Sequence, residues 1–440
     1  MPDIVEAIRF LEDRGLLYRV DRTLSWRFEA AKAIEHADSI GKAIAFRVDC
    51  CPGIDVVSNI IPSRDILKAY LGVKEDEDLY TRLLDAMDNP LRCGEEDFRD
   101  NYVEDRRTLY DLPALHFYEG DAGRYFTSSI FIARDPDGEI YNASIHRILV
   151  KDSMAGPARI VPRHLRRIID AYRSKGREAP IAVCFSPHPV VFLSAALQPR
   201  YGVFEMEVAN RLLGGSLRVC RTPLYNLPVS CECSHVLEGR VSLEDVEEGP
   251  FADALLTYDI VRREPLVVFD RIYRSRVERP FHTVLPGRTE HTLLMGIGKE
   301  ADIYRAVSRV VRRVYKVRLT RPSGGWLHAI ISIEKGAEGE GKNAILAAFA
   351  AHPSLKMAIV VDRDINIDNP EEVEWALATR LQASKGLVII RDARLSSLDP
   401  SAHDGVGDKL GIDATIPIRE RGRYRRAIIP GQDRYLANST

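Results

Sequence analysis

Residues Tyr125–Lys151 read YFTSSIFIARDPDGEIYNASIHRILVK. Two apolar, β-rich runs flank Pro136-Asp137-Gly138, a strong hairpin-turn signal. The stretch predicts strands over Tyr125 to Arg134 and Glu139 to Lys151. In the second strand, period two puts Asn142, Ser144 and His146 on one face and Arg147 on the other. For Asn142 and Arg147 to reach one ligand, the strand must bulge or end between them. A half-exposed strand is the plainer reading.

Working outward, the 440 residues point to two or three domains. The charge sum is 62 basic minus 64 acidic, or −2. That balance argues against a chain built to coat nucleic acid. Hydrophobic residues are 45% and charged residues 29%, as in a globular protein with a real core. No apolar run approaches the roughly 18 residues of a membrane span. Asp3 and Glu6 stand where a secretory peptide would be basic and then apolar. Ile4, Ala7, Ile8 and Leu11 instead predict an amphipathic helix, with Gly15 as its stop. The seven cysteines contain no CxxC pair, so the expectation is reduced, buried thiols in a cytoplasmic protein.

Pro162 opens a predicted helix, and Gly176 ends it. Strand-like runs follow at Ile181–Phe185, Ser216–Arg221 and Leu266–Val268. Lys299–Arg318 reads as a long helix, with Ile303, Ala306, Val307, Val310, Val311 and Val314 on one face. Beyond it the pattern alternates. Strands are expected at His328–Ile333, Met357–Val361 and Gly386–Ile390, with helices at Asn343–His352 and Pro370–Leu381. That alternation predicts a parallel or mixed sheet covered by helices, so the fold class is α/β (α+β).

Four stretches could carry chemistry. Gly336-Ala337-Glu338-Gly339-Glu340-Gly341-Lys342-Asn343 sits where a P-loop should, and Met357–Asp362 resembles a Walker B strand. Asn343 replaces the hydroxyl residue that would hold magnesium, and Glu338 and Glu340 would repel phosphate. An acidic strand-to-helix turn is the better reading. Arg163-His164 opens a helix, where anions are favoured. Glu205 lies on an apolar helical stripe with Ala209 and Leu212, so its carboxylate needs a metal ion or an arginine. Amide oxygen, imidazole and carboxylate from Asn142, His164 and Glu205 would suit manganese or magnesium better than zinc. Glu248 and Asp253 flank Gly249-Pro250, and a buried member of that pair could deliver a proton. By itself the stretch reads as an acidic turn.

These pieces, in this order, resemble the UbiD family of decarboxylases, which use prenylated FMN. The family's asparagine-to-arginine strand motif matches Asn142 to Arg147. Its helix-entry histidine matches His164, and its E-x-x-x-A helix matches Glu205 to Ala209. Its S/A-E-I-V-x-E-G stretch is similar to Cys233–Gly239, with His235 in place of glutamate. Its E-G-P-[FY]-G-[DE] loop matches Glu248 to Asp253, with Ala252 in place of glycine. Its G-x-K-x-G-x-D-A-T stretch matches Gly407 to Thr415.

The resemblance implies a prenylated-FMN-dependent carboxy-lyase. Asn142, His164 and Glu205 would hold Mn2+ or Mg2+ at the cofactor phosphate, with K+ close by. Ser144, Ile145, His146, Arg163 and Lys409 would contact the cofactor, as would Arg147. Arg147, Glu248 and Asp253 would be catalytic, with Asp253 as proton donor. It implies an N-terminal α/β segment (1–113), a prenylated-FMN-binding split-barrel domain (114–298), a linker helix (299–318) and a C-terminal α/β oligomerisation domain (319–440). The implied partners are a small carboxylic acid substrate, a flavin prenyltransferase that supplies the cofactor, and further copies of the chain in a homo-oligomer. Length and the Asn-Ala-Ser-Ile-His-Arg variant look most like archaeal members. One such branch converts trans-anhydromevalonate 5-phosphate to isopentenyl phosphate in a modified mevalonate pathway. The rival substrate is an aromatic or heteroaromatic acid. A nucleotide-binding P-loop protein is the reading from another class.

Overall fold

The computed structural model describes residues 3–138, 140–424 and 426–427. The chain forms two compact units. One holds Met1–Ala301 with Arg321–Trp326, the other Asp302–Thr320 with Leu327–Thr440.

In the first unit the hairpin is present. Ile130–Arg134 pairs antiparallel with Tyr141–Ile145. Glu139, the expected start of the second strand, lies outside the described residues. The hairpin forms one end of a seven-stranded antiparallel sheet. Its order is Ala155–Pro157, Arg262–Ser275, His235–Glu248, Ala179–Phe185, Ile130–Arg134 and Tyr141–Ile145. Tyr102–Asp105 pairs with Arg262–Ser275 off that path.

The second hairpin strand stops at Ile145 and resumes only as Ile148–Leu149, now paired with Tyr125–Phe126. Ser129 makes the break: its hydroxyl donates to the His146 carbonyl at 2.5 Å, and its carbonyl accepts the His146 N–H at 3.1 Å. Ile148 then bridges Ala158, just past the strand at the far end of the sheet. The sheet therefore curls back on itself, with the gap at His146-Arg147. The contact is close enough to demand glycine at 156, where a Cβ would lie 2.0 Å from the Leu149 carbonyl oxygen. Phe126, Phe185 and Phe281 pack together in the buried core beside this sheet.

The N-terminal helix is Ile4–Glu12, capped by the Asp3 side chain, with Ile4, Ala7 and Leu11 buried. The adjoining four-stranded sheet runs Leu17–Leu24, Ala43–Val48, Asp55–Ser58 and Phe281–His282, so residues distant in sequence complete it.

The expected linker helix needs correction. The helix spans Thr289–Val307, and Arg313–Leu319 is a strand. Valines at 310, 311, 314 and 317 fit a helical face on spacing alone. Their β-branches favour the strand, and Val314 and Val317 are buried there. In the second unit the sheet order is Arg313–Leu319, His328–Glu334, Met357–Asp362, Val406–Asp413 and Leu387–Arg394. Both inner pairings are parallel and both outer ones antiparallel, the mixed sheet expected.

The P-loop look-alike is filled by its own carboxylates. Glu340 accepts the Gly336 N–H at 2.8 Å, and Glu338 accepts the Lys335 ammonium at 2.8 Å and the Ile418 N–H at 2.7 Å. Groups that would cradle a phosphate are thus already bound to anions of the chain.

The cysteine expectation also needs correction. Cys220 and Cys231 form a disulfide, while Cys50, Cys51, Cys93, Cys184 and Cys233 are free. No motif spacing announces the bond. The antiparallel pairing of Arg218–Arg221 with Pro228–Ser230 brings the two side chains together. Denatured, non-reduced protein should therefore take up five maleimide groups per chain by intact mass, against seven after reduction. Reduction should cost roughly 2–3 kcal/mol of stability for so short a loop, read as a lower urea midpoint.

Candidate active site

The strand break turns the side chains around it toward two buried clusters. The first is built on Asn142. Its Nδ2 donates to Glu205 Oε1 at 2.9 Å, and the Ala143 N–H donates to Glu205 Oε2 at 2.7 Å. Asn142 and Glu205 are only 3% and 2% exposed. The carboxylate opens the Glu205–Leu212 helix. Burial raises its pKa to about 8, although both N–H donors oppose the shift. A carboxylate so placed is short of a cation. Ser144 Oγ lies 2.9 Å from both Asn142 Oδ1 and His146 Nε2. His146 Nδ1 donates to the Arg159 carbonyl at 3.0 Å, and burial lowers its pKa to about 4, so its ring is neutral.

His164 begins the His164–Arg173 helix. Its ring meets Tyr201 edge-on, and Arg167 lies over the same ring at 4.0 Å. Burial, then Arg163 and Arg167, lowers the His164 pKa. A neutral imidazole is the form that ligates metal. Arg163 sits 5.5 Å from the Trp326 ring. The donors fit a hard divalent ion: a buried carboxylate lacking a counter-charge, an amide and a neutral imidazole. Asn142, His164 and Glu205 would hold it. Among the described residues no three His, Cys, Asp or Glu side chains gather as a metal site, so such a site needs the amide.

The second cluster surrounds Arg147. Its Nε and Nη2 fork onto Glu248 at 2.7 and 2.8 Å. The guanidinium lies 4.4 Å from the Phe251 ring centre. Nη2 also reaches Asp259 at 3.4 Å, whereas Nη1 has no hydrogen-bond partner among the described residues. Glu248 is wholly buried. The pair is thus desolvated, bidentate and charge-assisted.

Asp253 follows the short strand Phe251–Ala252, which pairs with Tyr258–Asp259. Its carboxylate accepts the Leu255 N–H at 2.8 Å and lies 3.4 Å from the Thr257 hydroxyl. Burial raises its pKa and Asp259 adds to the rise; the Leu255 N–H, Arg147 and Thr257 oppose it. Ala252, where the resembling family has glycine, is accommodated: its N–H donates to Asp121 at 2.8 Å.

Sequence reasoning missed Asp259, Arg159, Glu264 and His291. Asp259 is ion-paired to Arg147, Arg262 and Arg159, and Arg159 is held by Glu264. His291 accepts the Gly287 N–H at Nδ1, and burial with Arg147 lowers its pKa to about 4. None lies in a local motif, so only the fold could reveal them. His235 is buried against Phe281, with Nδ1 near Ser234 Oγ at 3.2 Å. Lys409 lies in the second unit, its ammonium donating to the Pro353 and Leu355 carbonyls at 2.6 and 2.5 Å.

The curled antiparallel sheet thus carries a buried arginine–carboxylate pair, and the hairpin beside it a buried acid whose pKa is raised. The chain belongs to the UbiD family of carboxy-lyases. Residues 92–289 match the 3-octaprenyl-4-hydroxybenzoate carboxy-lyase Rift-related domain, and residues 8–87 and 292–414 match that enzyme's N-terminal and C-terminal domains. The anhydromevalonate phosphate decarboxylase of Aeropyrum pernix is 45% identical over 427 residues, spanning 96% of this chain and 95% of that one. That of Methanothermobacter thermautotrophicus is 40% identical, over 85% and 88%. The solved UbiD-class enzyme HmfF from Pelotomaculum thermopropionicum, in complex with FMN, superposes with a TM-score of 0.95 at 36% identity, over all of both chains. An evolved dimeric form in complex with prFMN gives 0.91 at 34%, again over all of both chains.

Glu205 makes a pH test possible. Its folded pKa, about 8, lies above the ordinary glutamate value of 4.5. The metal-free native state therefore binds the extra proton, and its stability falls as pH rises from about 4.5 to 8. Glu205→Gln should remove that fall. In EDTA, the melting temperature of wild type should drop relative to the variant between pH 5 and pH 8. Mn2+ should restore it at pH 8 in wild type only.

Proposed function

We propose that this chain is a prenylated-FMN-dependent decarboxylase that converts trans-anhydromevalonate 5-phosphate to isopentenyl phosphate. The observation that carries the reading is the 45% identity, over almost the whole of both chains, to an anhydromevalonate phosphate decarboxylase. Four further archaeal relatives with that name, at 36–41% identity, support it.

Arg147 receives the substrate carboxylate through Nη1, since Glu248 holds Nε and Nη2. The bond from the carboxylate to the α-carbon breaks, carbon dioxide leaves, and an electron pair stays on that carbon. Prenylated FMN, when bound, supplies the conjugated system that delocalises this pair. Asp253 then delivers one proton to the carbon and is reprotonated from water. Burial suits it to the task, because a raised pKa keeps a carboxyl protonated closer to neutrality. Asn142, His164 and Glu205 hold Mn2+ or Mg2+, with K+ nearby. Ser144, Ile145, His146, Arg147 and Arg163 contact the cofactor. A flavin prenyltransferase supplies it, and the chain works as a homo-oligomer. No helix among the described residues is long and apolar enough to cross a membrane.

The test is turnover by protein co-expressed with a flavin prenyltransferase and purified with Mn2+ and K+. Isopentenyl phosphate should form. Activity on an aromatic or heteroaromatic acid alone would overturn the substrate assignment. Arg147→Ala and Asp253→Asn should each lower kcat/KM by about a thousandfold or more, as expected for removal of a substrate clamp or a proton donor. Lys342→Ala should stay within about twofold of wild type, because Lys342 is an exposed residue in the first turn of the Glu340–Ala351 helix.

A further inference from the structure

The Asp253 hairpin carries more than its acid. Phe251, on one strand, lies beneath the Arg147 guanidinium. Asp259, directly across from Phe251 on the other strand, meets Arg147 Nη2, the atom that also donates to Glu248. The hairpin is short: the Asp253 N–H donates to the Thr257 carbonyl at 3.0 Å. It is also seated firmly. Tyr258 Oη accepts the Gly120 N–H at 2.9 Å, and the Ala252 N–H is bound by Asp121. Neither Gly287 nor Gly324 leaves room beside it: a Cβ at Gly287 would fall 2.3 Å from Leu256, and one at Gly324 3.1 Å from Leu255.

Asp259 is itself bracketed. Arg262 Nη2 reaches it at 2.7 Å and Arg159 Nε at 3.6 Å, with Glu264 behind Arg159. Charges therefore alternate from Glu248 through Arg147, Asp259 and Arg159 to Glu264.

We propose that Asp259 is a positioning residue for the decarboxylation. It gives the Arg147 Nη2 that Glu248 already holds a second acceptor, and it places a fixed negative charge on the hairpin that carries Asp253. This rests on the proton-donor reading of Asp253. The charged and titratable groups around Asp253 are few. Asp259 lies on its own hairpin and Arg147 in the gap between Tyr141–Ile145 and Ile148–Leu149. Asp121 lies behind Ala252, and neutral His291 stands beyond Gly287. A negative neighbour favours the protonated acid. Losing Asp259's charge would let Asp253 ionise at lower pH. Losing Arg262, which neutralises Asp259 from outside, would do the reverse.

Two variants test this with opposite signs. Asp259→Asn should move the alkaline limb of the kcat profile down by about 0.5–1 pH unit. It should also raise KM several-fold, because Arg147 loses its second anchor. Arg262→Gln should move the same limb up. A merely structural role would not shift the limb in both directions. The same titration is to be read without turnover, as the protonated-carboxyl infrared band that Asp253→Asn removes from the cofactor-free protein. Opposite shifts of that band support the proposal even if the assigned substrate proves wrong. Shifts of one sign in both variants, or none, overturn it. Should Asp259→Asn not fold, the absence of an upward shift in Arg262→Gln overturns it alone.

Discussion

The Arg147–Glu248 pair is the constraint on which the seven-stranded sheet side of the first unit depends. Two charges taken out of water are tolerated only where geometry is good and their remaining hydrogen-bonding groups are met. Here the fork is bidentate, and the Phe251 face lies against the guanidinium. Glu248 is entirely buried at the end of a 14-residue strand, so it needs that cation. Arg147 reaches it only because the hairpin strand stops at Ile145. The break, the Ser129 cross-link that replaces the lost ladder, and the close approach at Gly156 are all consequences of delivering one guanidinium. Removing either partner would strand an uncompensated charge, which typically costs about 3–5 kcal/mol.

Much of this was legible in the sequence. The Pro136-Asp137-Gly138 turn placed the hairpin. The opposite facing of Asn142 and Arg147 required a break between them, and the break is there. The second unit's alternation was equally readable, because each strand is a short apolar run and each helix has its own cap or stop. Val310–Val317 was not. Its valines satisfy helical spacing and strand propensity alike, and pairing with His328–Glu334 decides between them. Cys220 and Cys231 were illegible for a related reason, since their meeting depends on a strand register. At the site, Arg147, Glu248 and Asp253 were found through motifs. Asp259 and Arg159 were not, because ion pairs between separate strands leave no spacing to read.

Glycine-rich turns carry the same lesson from the other side. The stretch from Gly336 to Asn343 has the spacing of a phosphate cradle, and its position between strand and helix is right. Its chemistry is wrong, because Glu340 takes the loop's own Gly336 N–H and Glu338 binds Lys335 and Ile418, which leaves two carboxylates in the turn to repel a phosphate. Spacing says where a backbone can turn; the charges inside it say what the turn can bind.

Charge also sorts the three acids of the first unit. Glu205, Glu248 and Asp253 are all buried, and burial raises the pKa of Glu205 and Asp253. Their neighbours separate them. Glu205 has N–H donors and no cation among the groups that perturb it, so burial leaves its pKa raised to about 8. Glu248 takes both arms of Arg147's fork, at 2.7 and 2.8 Å. Burial raises the Asp253 pKa and Asp259's negative charge adds to the rise, while the Leu255 N–H, Arg147 and Thr257 oppose it. Three buried carboxylates are thereby set apart by the charges around them: Glu248 holds a guanidinium, Asp253 has a second carboxylate among its neighbours, and Glu205 has no cation among the groups that perturb it.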